Sequence, residues 1–363
     1  MKLIPILMSL SLVAASLAQP APTISPELDV AAKSVVFRLK APKAQEVNVR
    51  CQWLGKPTAM SRGDDGVWSV SLTNVPSGVW EYGFNVDGVA MIDPANIAQK
   101  PQRSPTTSIL HVPSTPPAAW DFQDIPHGTV HRHNYLSKSL GKQRELWVYT
   151  PPGYETEKGN TYPLLVLQHG SGDNQRTWVE HGKAHWIIDS LIATGKATPM
   201  VVVMLDGHPL GMVPRDQADR REASMQAFQD DLFKDALPLV EARYRLAQGP
   251  ENRGIVGLSM GGWHSLTIGL NHQDRFNWIG SFSGAVDEAA IKTALDDAKG
   301  TNDRLKLLWI ACGKEDFLLE RNTQLIDTLK SRGIKHEWVL SEGGHSWPVW
   351  RGYLTEFVPK LFH

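Results

Sequence analysis

The Gly-x-Ser-x-Gly pattern at residues 257–261 constrains the fold of this chain more than any other feature. An apolar run at 254–257 predicts a short buried strand before it, and residues 262–268 predict a helix after it. A tight strand-to-helix turn of this kind exposes its serine at the sheet edge, and the glycines allow the turn without side-chain clashes. The sequence therefore predicts an α/β fold with Ser259 as candidate nucleophile.

A nucleophile in such a turn requires an acid and then a histidine later in the chain. Residues 305–312 form an apolar run typical of a central strand, and Gly313-Lys314-Glu315-Asp316 follows directly. Sheets of this class place functional side chains just beyond the carboxyl ends of their strands. We expect Asp316 to be the acid, with Glu315 as the alternative.

Five histidines follow the candidate serine, and His345 has the position that the chemistry requires. It lies in the glycine-rich segment 341–347, after a predicted strand at 336–340. Position and chain order together favour His345 as the general base. The other four occupy a helix, a helix end, a strand start or the C-terminus: His264, His272, His336 and His363.

A serine nucleophile also needs two backbone N–H donors for the oxyanion that forms during attack. One should come from Met260, the residue after the serine. The other should come from the loop after an earlier strand, predicted at 164–168. Gly170 or Ser171 in that loop is the expected second donor, because glycine lets backbone approach the oxyanion closely.

The N-terminus resembles a secretory leader. Lys2 supplies the positive start, residues 3–17 are apolar, and Ser16-Leu17-Ala18 provides a small-x-small cleavage site. The apolar stretch is interrupted by Pro5 and is too short to span a bilayer. We expect a signal peptide over residues 1–18 and a secreted or periplasmic mature protein without a lipid anchor.

The remaining chain divides into two predicted domains. Short strands separated by Gly, Pro and Asp turns predict an all-β sandwich over residues 25–115. A proline-containing linker is expected at 116–127. From 128 to 363 strands alternate with helices, which predicts an α/β sheet.

Composition favours no charged macromolecular partner. The net charge is −1 with 21% charged residues, so nothing indicates binding to nucleic acid or a membrane surface. The two cysteines, Cys51 and Cys312, are expected to be buried free thiols. His131-x-His133 lacks a third nearby ligand, so we expect no metal site.

Several segments resemble the esterase branch of the α/β-hydrolases that contains feruloyl and acetyl-xylan esterases. They are residues 144–154, His169-Gly170, residues 257–262 and residues 343–351. The first domain is similar to the immunoglobulin-like module of many glycan-active enzymes, through residues 37–42 and 93–96. This resemblance implies hydrolysis of feruloyl-type esters on plant polysaccharide side chains, through a Ser-His-Asp acyl-enzyme mechanism and without a cofactor.

Other functions remain open. An acetyl-xylan esterase would need the same three residues, as would an enterobactin-type siderophore esterase, which shares both domains but usually acts inside the cell. Mycolyltransferases transfer the acyl group to a sugar, and S-formylglutathione hydrolases are cytosolic single-domain proteins. The least expected alternative is a catalytically dead glycan-binding protein. The sequence leaves the acyl group and the oligomeric state undetermined.

Tryptophan is abundant, with 13 residues, and two of them are candidates for substrate binding. Trp178 follows the oxyanion loop and Trp347 lies two residues after His345. A flat indole can stack on an aromatic acyl group or a sugar. We therefore expect Trp178 and Trp347 to wall the acyl pocket.

Overall fold

The first part of the chain forms two antiparallel sheets. The computed structural model describes residues 23–214 and 216–363, so the expected signal peptide lies outside the described residues. One sheet has the strand order β1-β2-β6-β5, and the other has β4-β3-β7-β8 with β9 also paired to β7. The strands are β1 (Glu27–Asp29), β2 (Ser34–Lys40), β3 (Val47–Cys51), β4 (Thr58–Ala59), β5 (Ser61–Arg62), β6 (Val67–Thr73), β7 (Gly78–Val86), β8 (Val89–Met91) and β9 (Ser108–Val112).

The two sheets share one apolar core. In β2 every second side chain is buried, namely Val35, Phe37 and Leu39. This alternation matches the two-residue period of a strand with one face against a core. Both sheets contribute to that core, with Phe37 packing on Tyr82 of β7 at a ring separation of 4.7 Å. We call residues 23–112 the β unit.

The segment between β9 and the next strand is held in place by buried carboxylates. Asp121 accepts hydrogen bonds from the backbone N–H groups of Ser114 and Ala118 and pairs with His111. Asp189 of the following part pairs with His127 at 2.9 Å. Buried carboxylates that accept several hydrogen bonds hold their partners in fixed positions. The segment after β9 is therefore anchored at both of its ends.

The second part is built on an eight-stranded sheet with the order β10-β11-β13-β12-β14-β15-β16-β17. The first three strands in that order pair antiparallel, and all later pairs are parallel. The central strands are buried along their whole length, as expected where helices cover both faces. The strands are β10 (Thr129–Ser137), β11 (Lys142–Thr150), β12 (Leu164–Gln168), β13 (Val201–Leu205), β14 (Arg253–Leu258), β15 (Trp278–Phe282), β16 (Leu307–Gly313) and β17 (Glu337–Ser341).

Helices pack against both faces of this sheet and form two apolar cores. A π-helical turn at Leu232–Ala236 joins the third and fourth helices, and 3₁₀ turns lie at Pro250–Asn252, Glu288–Ile291 and Val358–Lys360. The α-helices are α1 (Thr177–Glu180), α2 (Ala184–Ala193), α3 (Ala218–Asp231), α4 (Leu237–Arg243), α5 (Met260–Asn271), α6 (Lys292–Asp296), α7 (Ala298–Arg304), α8 (Leu319–Ser331) and α9 (Trp347–Phe357).

The predicted strand-to-helix turn lies between β14 and α5. Ser259 has φ 53° and ψ −116°, a conformation that side-chain-bearing residues rarely adopt. A Cβ on Gly257 would lie 2.5 Å from the backbone of Gly261. A Cβ on Gly261 would lie 2.6 Å from the carbonyl oxygens of Gln168 and His169. Both glycines are therefore required for the helix to pack this closely behind the serine.

We predict that Gly261→Ala lowers the unfolding free energy by about 1–3 kcal/mol, because the new methyl group overlaps backbone that cannot move away. Gly352→Ala is the matched control, since nothing lies within 4 Å of its added Cβ in α9. The control should stabilise the protein by about 0.5–1 kcal/mol through higher helix propensity. Urea unfolding measures both variants, and equal effects would contradict the packing argument.

Candidate active site

Three side chains from separate strand ends meet above the sheet. Ser259 Oγ lies 2.8 Å from His345 Nε2. The other ring nitrogen, Nδ1, lies 2.9 and 3.0 Å from the two carboxylate oxygens of Asp316. These distances allow a proton to pass from the serine to the ring while the carboxylate holds the ring orientation. The arrangement can therefore activate a serine hydroxyl for attack on a carbonyl.

The two candidate acids occupy very different environments. Asp316 is 5% exposed and accepts a hydrogen bond from the backbone N–H of Leu318 at 2.8 Å. Burial alone would raise the pKa of Asp316, but hydrogen bonds from His345, Leu318 and Ser283 outweigh it and lower the pKa overall. Glu315 is exposed, and its backbone N–H bonds to the carbonyl of Gly343. The geometry therefore favours Asp316 over Glu315.

Aromatic rings hold His345 from two sides. The ring of Trp350 meets the imidazole edge-on at 4.8 Å, and Phe317 lies at 4.4 Å. The indole N–H of Trp350 donates to Ser283 Oγ at 3.1 Å, and Ser283 follows the end of β15. Sequence reasoning missed this support, although a tryptophan one helical turn into the segment after His345 was a usable signal.

The loop after β12, residues 169–172, lies beside the serine as predicted for an oxyanion loop. A Cβ on Gly170 would lie 2.6 Å from the Leu258 side chain and 3.4 Å from Ser259 Cβ. Ser171 is exposed and lines the same cavity as Ser259 and Met260. The structure thus brings all three predicted oxyanion residues around the serine, with Met260 at the N-terminus of α5, where partial positive charge favours an anion.

Two histidines to which sequence reasoning gave no role fix the oxyanion loop. His169 Nε2 accepts the backbone N–H of Gly207 at 2.8 Å, so its Nδ1 carries the proton and donates to the carbonyl of Gly170 at 2.7 Å. His208 Nε2 accepts the N–H of Gly172 at 3.0 Å. The bond that His208 accepts requires a neutral imidazole. The available signal was the polar run Asp206–His208 directly after β13.

A cavity of about 150 Å³ opens at the serine. Its aromatic wall is Trp263, against which the guanidinium of Arg221 stacks at 5.2 Å. Sequence reasoning did not identify either residue, because tertiary packing decides which faces of α3 and α5 line the cavity. The cavity lining is Ser171, His208, Gly211, Val213, Arg221, Ser224, Ser259, Met260, Trp263, His264, Ala285, Leu318 and Arg321.

The prediction that Trp178 and Trp347 wall the acyl pocket is wrong. Each is 1% exposed, and both belong to the apolar core on one face of the sheet. Their rings pack edge-to-face at 4.9 Å, and the indole N–H of Trp178 donates to the carbonyl of Gln168. Although Trp178 is close in sequence to the loop and Trp347 to His345, both side chains lie behind the site and pack under its backbone.

The remaining titratable candidates have structural partners. His131 bonds to Thr150 and His133 to Tyr244, and the described residues contain no cluster of three or more metal-ligating side chains. Cys51 and Cys312 are free and buried, and burial raises the pKa of each thiol to about 12.

Within the described ranges, no helix is long and apolar enough to cross a membrane.

The fold and the site define an α/β-hydrolase-like protein, and comparison with known proteins identifies its family. Residues 137–361 match the Esterase family. The chain belongs to this family.

A curated relative and two solved structures illustrate the similarity. The chain is 30% identical to an endo-1,4-beta-xylanase/feruloyl esterase of Xylanibacter ruminicola, over 90% of this chain and 44% of the relative. An enterobactin esterase from Shigella flexneri matches with TM-score 0.64 and 20% identity, over 91% of this chain and 92% of that one. A ferulic acid esterase from Anaeromyces mucronatus matches with TM-score 0.58 and 22% identity, over 67% and 93%.

These matches confirm the predicted resemblance to the feruloyl and acetyl-xylan esterase branch. The chain spans less than half the length of the xylanase/feruloyl esterase. At 20% and 22% identity, the two solved structures establish the shared fold.

We predict that His208 makes the stability of the fold depend on pH. Burial lowers the pKa of His208 from 6.5 to about 4. The contribution of its neutral ring to the unfolding free energy is therefore complete above pH 6.5 and is lost as the pH falls towards 4. The loss amounts to about 3 kcal/mol. His208→Gln, which cannot be protonated, should therefore lose about 3 kcal/mol less than wild type in denaturant unfolding between pH 7 and 4.

His363→Gln is the control for this experiment, because His363 is exposed at the C-terminus. It should reproduce the wild-type dependence on pH. A His208→Gln variant whose unfolding free energy follows the wild-type curve would show that the bond to Gly172 does not depend on a neutral imidazole.

Proposed function

We propose that this chain is a serine carboxylic-ester hydrolase, with Ser259 as nucleophile, His345 as general base and Asp316 as the acid that orients it. The observation that carries the proposal is the unbroken hydrogen-bond path from Asp316 through His345 to Ser259, at the mouth of a cavity. A serine beside a histidine that is oriented by a buried carboxylate is the arrangement that acyl transfer requires.

The proposed reaction has two steps. His345 Nε2 takes the Ser259 proton as Oγ attacks the ester carbonyl, and the imidazolium then protonates the departing alcohol. Water, deprotonated by His345, then attacks the acyl carbonyl, the bond to Ser259 Oγ breaks with return of the proton from His345 to Oγ, and the acid is released. Asp316 stabilises the charged ring in both steps, and its lowered pKa keeps it ionised at neutral pH.

The developing oxyanion would be stabilised by backbone donors. Met260 begins α5, and Gly170 and Ser171 approach the serine from the opposite loop. Preorganised donors of this kind contribute more to the rate than flexible ones, because they need no reorganisation during the reaction. The histidine bonds that fix the loop support this role.

We further propose a feruloyl-type ester of plant polysaccharide as the substrate. The similarity to the xylanase/feruloyl esterase supports this choice, since it extends over 90% of the chain and so includes the β unit. A siderophore esterase is the second candidate. It is supported by the fold match to the enterobactin esterase over 91% of the chain.

The domain organisation and location complete the proposal. The β unit is proposed as an immunoglobulin-like module over residues 25–115, joined by a linker at 116–127 to an esterase domain at 128–363. Two antiparallel sheets over a shared core support the first assignment. The leader-like residues 1–18 support a secreted or periplasmic mature protein.

A rate panel on the full chain tests the substrate assignment. The substrates are methyl ferulate, acetylated xylan and enterobactin, each measured with wild type and with Ser259→Ala. We expect the highest kcat/KM for methyl ferulate and loss of all activity in the variant. A higher kcat/KM for enterobactin would make the chain a siderophore esterase, and a preference for acetylated xylan would make it an acetyl-xylan esterase.

We predict that Asp316→Asn lowers kcat by about 10⁴-fold, because the amide favours the wrong tautomer of His345. Glu315→Gln is the matched control one residue earlier, and its kcat should stay close to wild type. Both variants are measured on p-nitrophenyl acetate. If Glu315→Gln caused the larger loss, the acid would have to be reassigned to Glu315.

Trp263 now takes the role expected of Trp178 and Trp347 as the aromatic wall of the site. We predict that Trp263→Ala raises KM for methyl ferulate several-fold more than for methyl acetate, because stacking with an aromatic ring contributes about 0.5–1.5 kcal/mol beyond area burial. Steady-state kinetics with both esters measures the ratio. Trp338→Ala, outside the cavity lining, is the control and should leave that ratio unchanged. An unchanged ratio in Trp263→Ala would remove the aromatic wall from the proposal.

A further inference from the structure

The oxyanion loop contacts the segment 99–103 of the β unit. The backbone N–H of Arg103 donates to the carbonyl of Gly172 at 2.9 Å, and Gln102 forms a β-bridge with Asp173. Thr177, at the start of α1, donates its hydroxyl to the carbonyl of Pro101 at 2.7 Å. The loop is therefore bonded to a segment more than 60 residues earlier in the chain, which lies between β8 and β9.

Buried charges strengthen this contact. The ammonium of Lys100 lies 3.0 Å from Glu81 of β7 and 3.7 Å from Asp173, next to the oxyanion loop. Lys100 and Asp173 are both buried, and burial raises the pKa of the Asp173 carboxyl. A buried charge left without its partner is strongly unfavourable, so these groups favour one relative position of loop and β unit.

The peptide of Gly172 is held from both sides. His208 accepts its N–H, and Arg103 donates to its carbonyl. The guanidinium of Arg103 also bonds to the carboxylate of Asp206, which accepts the backbone N–H of His208 at 3.0 Å. Arg103 thus contacts the oxyanion loop directly through its backbone N–H, and its side chain acts on the loop through Asp206, which holds the backbone of His208.

The helix that follows the candidate base is tied to the same β unit. Arg351 of α9 is 2% exposed, and its guanidinium donates to the carbonyls of Val79 in β7 and His181. It lies six residues after His345 in sequence. Both the oxyanion loop and the segment that carries His345 therefore have anchors in the β unit.

We infer that the β unit, with its segment 99–103, is a positioning element of the hydrolytic site, and that Arg103 is a positioning residue for the oxyanion loop. This inference rests on the proposed function, since it concerns the same serine site. Displacement of a catalytic donor by a fraction of an ångström weakens stabilisation of the transition state more than binding of the substrate. Loss of Arg103 should therefore act on kcat.

The test uses the full chain and p-nitrophenyl acetate. Arg103→Ala keeps the backbone N–H that bonds to Gly172 and removes the guanidinium from Asp206, which holds the backbone of His208. Removal of one oxyanion donor costs about 10²–10³ in kcat, so the smaller displacement of the loop through Asp206 and His208 should cost about 10- to 100-fold. KM should change less than about twofold, since substrate binding in the ground state does not use the oxyanion hole. Phenylboronic acid, which forms a tetrahedral adduct on an active serine, should bind more weakly by a factor similar to the loss of kcat.

Two further variants serve as comparison. Arg62→Ala removes an exposed arginine from β5 of the same unit and should leave kcat, KM and boronate affinity unchanged. Arg103→Lys keeps a cation that can pair with Asp206 and should recover part of the lost kcat. If Arg103→Ala does not fold, judged by its melting temperature, Arg103→Gln is judged by the same criteria.

The outcomes separate this inference from the proposed function. A wild-type protein without Ser259-dependent hydrolysis would contradict the proposed function. An active wild type with unchanged kcat and boronate affinity in Arg103→Ala would overturn the positioning role alone. A rise in KM with constant kcat and boronate affinity would also overturn it, because the arginine would then only bind substrate.

Discussion

The strained turn at Ser259 is the constraint on which the rest of the site depends. A positive φ at a serine is tolerated only where surrounding contacts enforce it. Here the serine N–H bonds to the carbonyl of Phe282 on the next strand, and two glycines let α5 pack directly behind the turn. The hydroxyl is thereby held 2.8 Å from His345 before any substrate arrives.

The loop opposite the serine is positioned by a different kind of contact. The ring of His169 donates to the carbonyl of Gly170, and the ring of His208 accepts the N–H of Gly172. The bond to His208 is lost when its accepting nitrogen is protonated. The β unit adds Arg103 on the far side of Gly172. The geometry of the proposed site thus combines local strain at Ser259 with long-range bonding at the loop after β12.

Sequence reasoning succeeded where local rules and chain order suffice. Ser259, Asp316 and His345 each follow a strand of a parallel sheet, and the carboxyl ends of parallel strands meet at one edge, so their convergence was predictable. The prediction for Trp178 and Trp347 failed, because closeness in sequence to a loop does not reveal which side chains point into the core. Trp263 and Arg103 were missed because the roles proposed for them depend on tertiary contacts, in the case of Arg103 with a segment some 70 residues away.

The central claim is that Ser259 is an activated nucleophile, and covalent labelling tests it most directly. The folded protein is treated with diisopropyl fluorophosphate at neutral pH and digested, and the labelled peptide is identified by mass spectrometry. The account predicts a single adduct on Ser259, with slow or no labelling in His345→Ala. An unlabelled Ser259 in the folded protein, or an adduct on another residue, would contradict it.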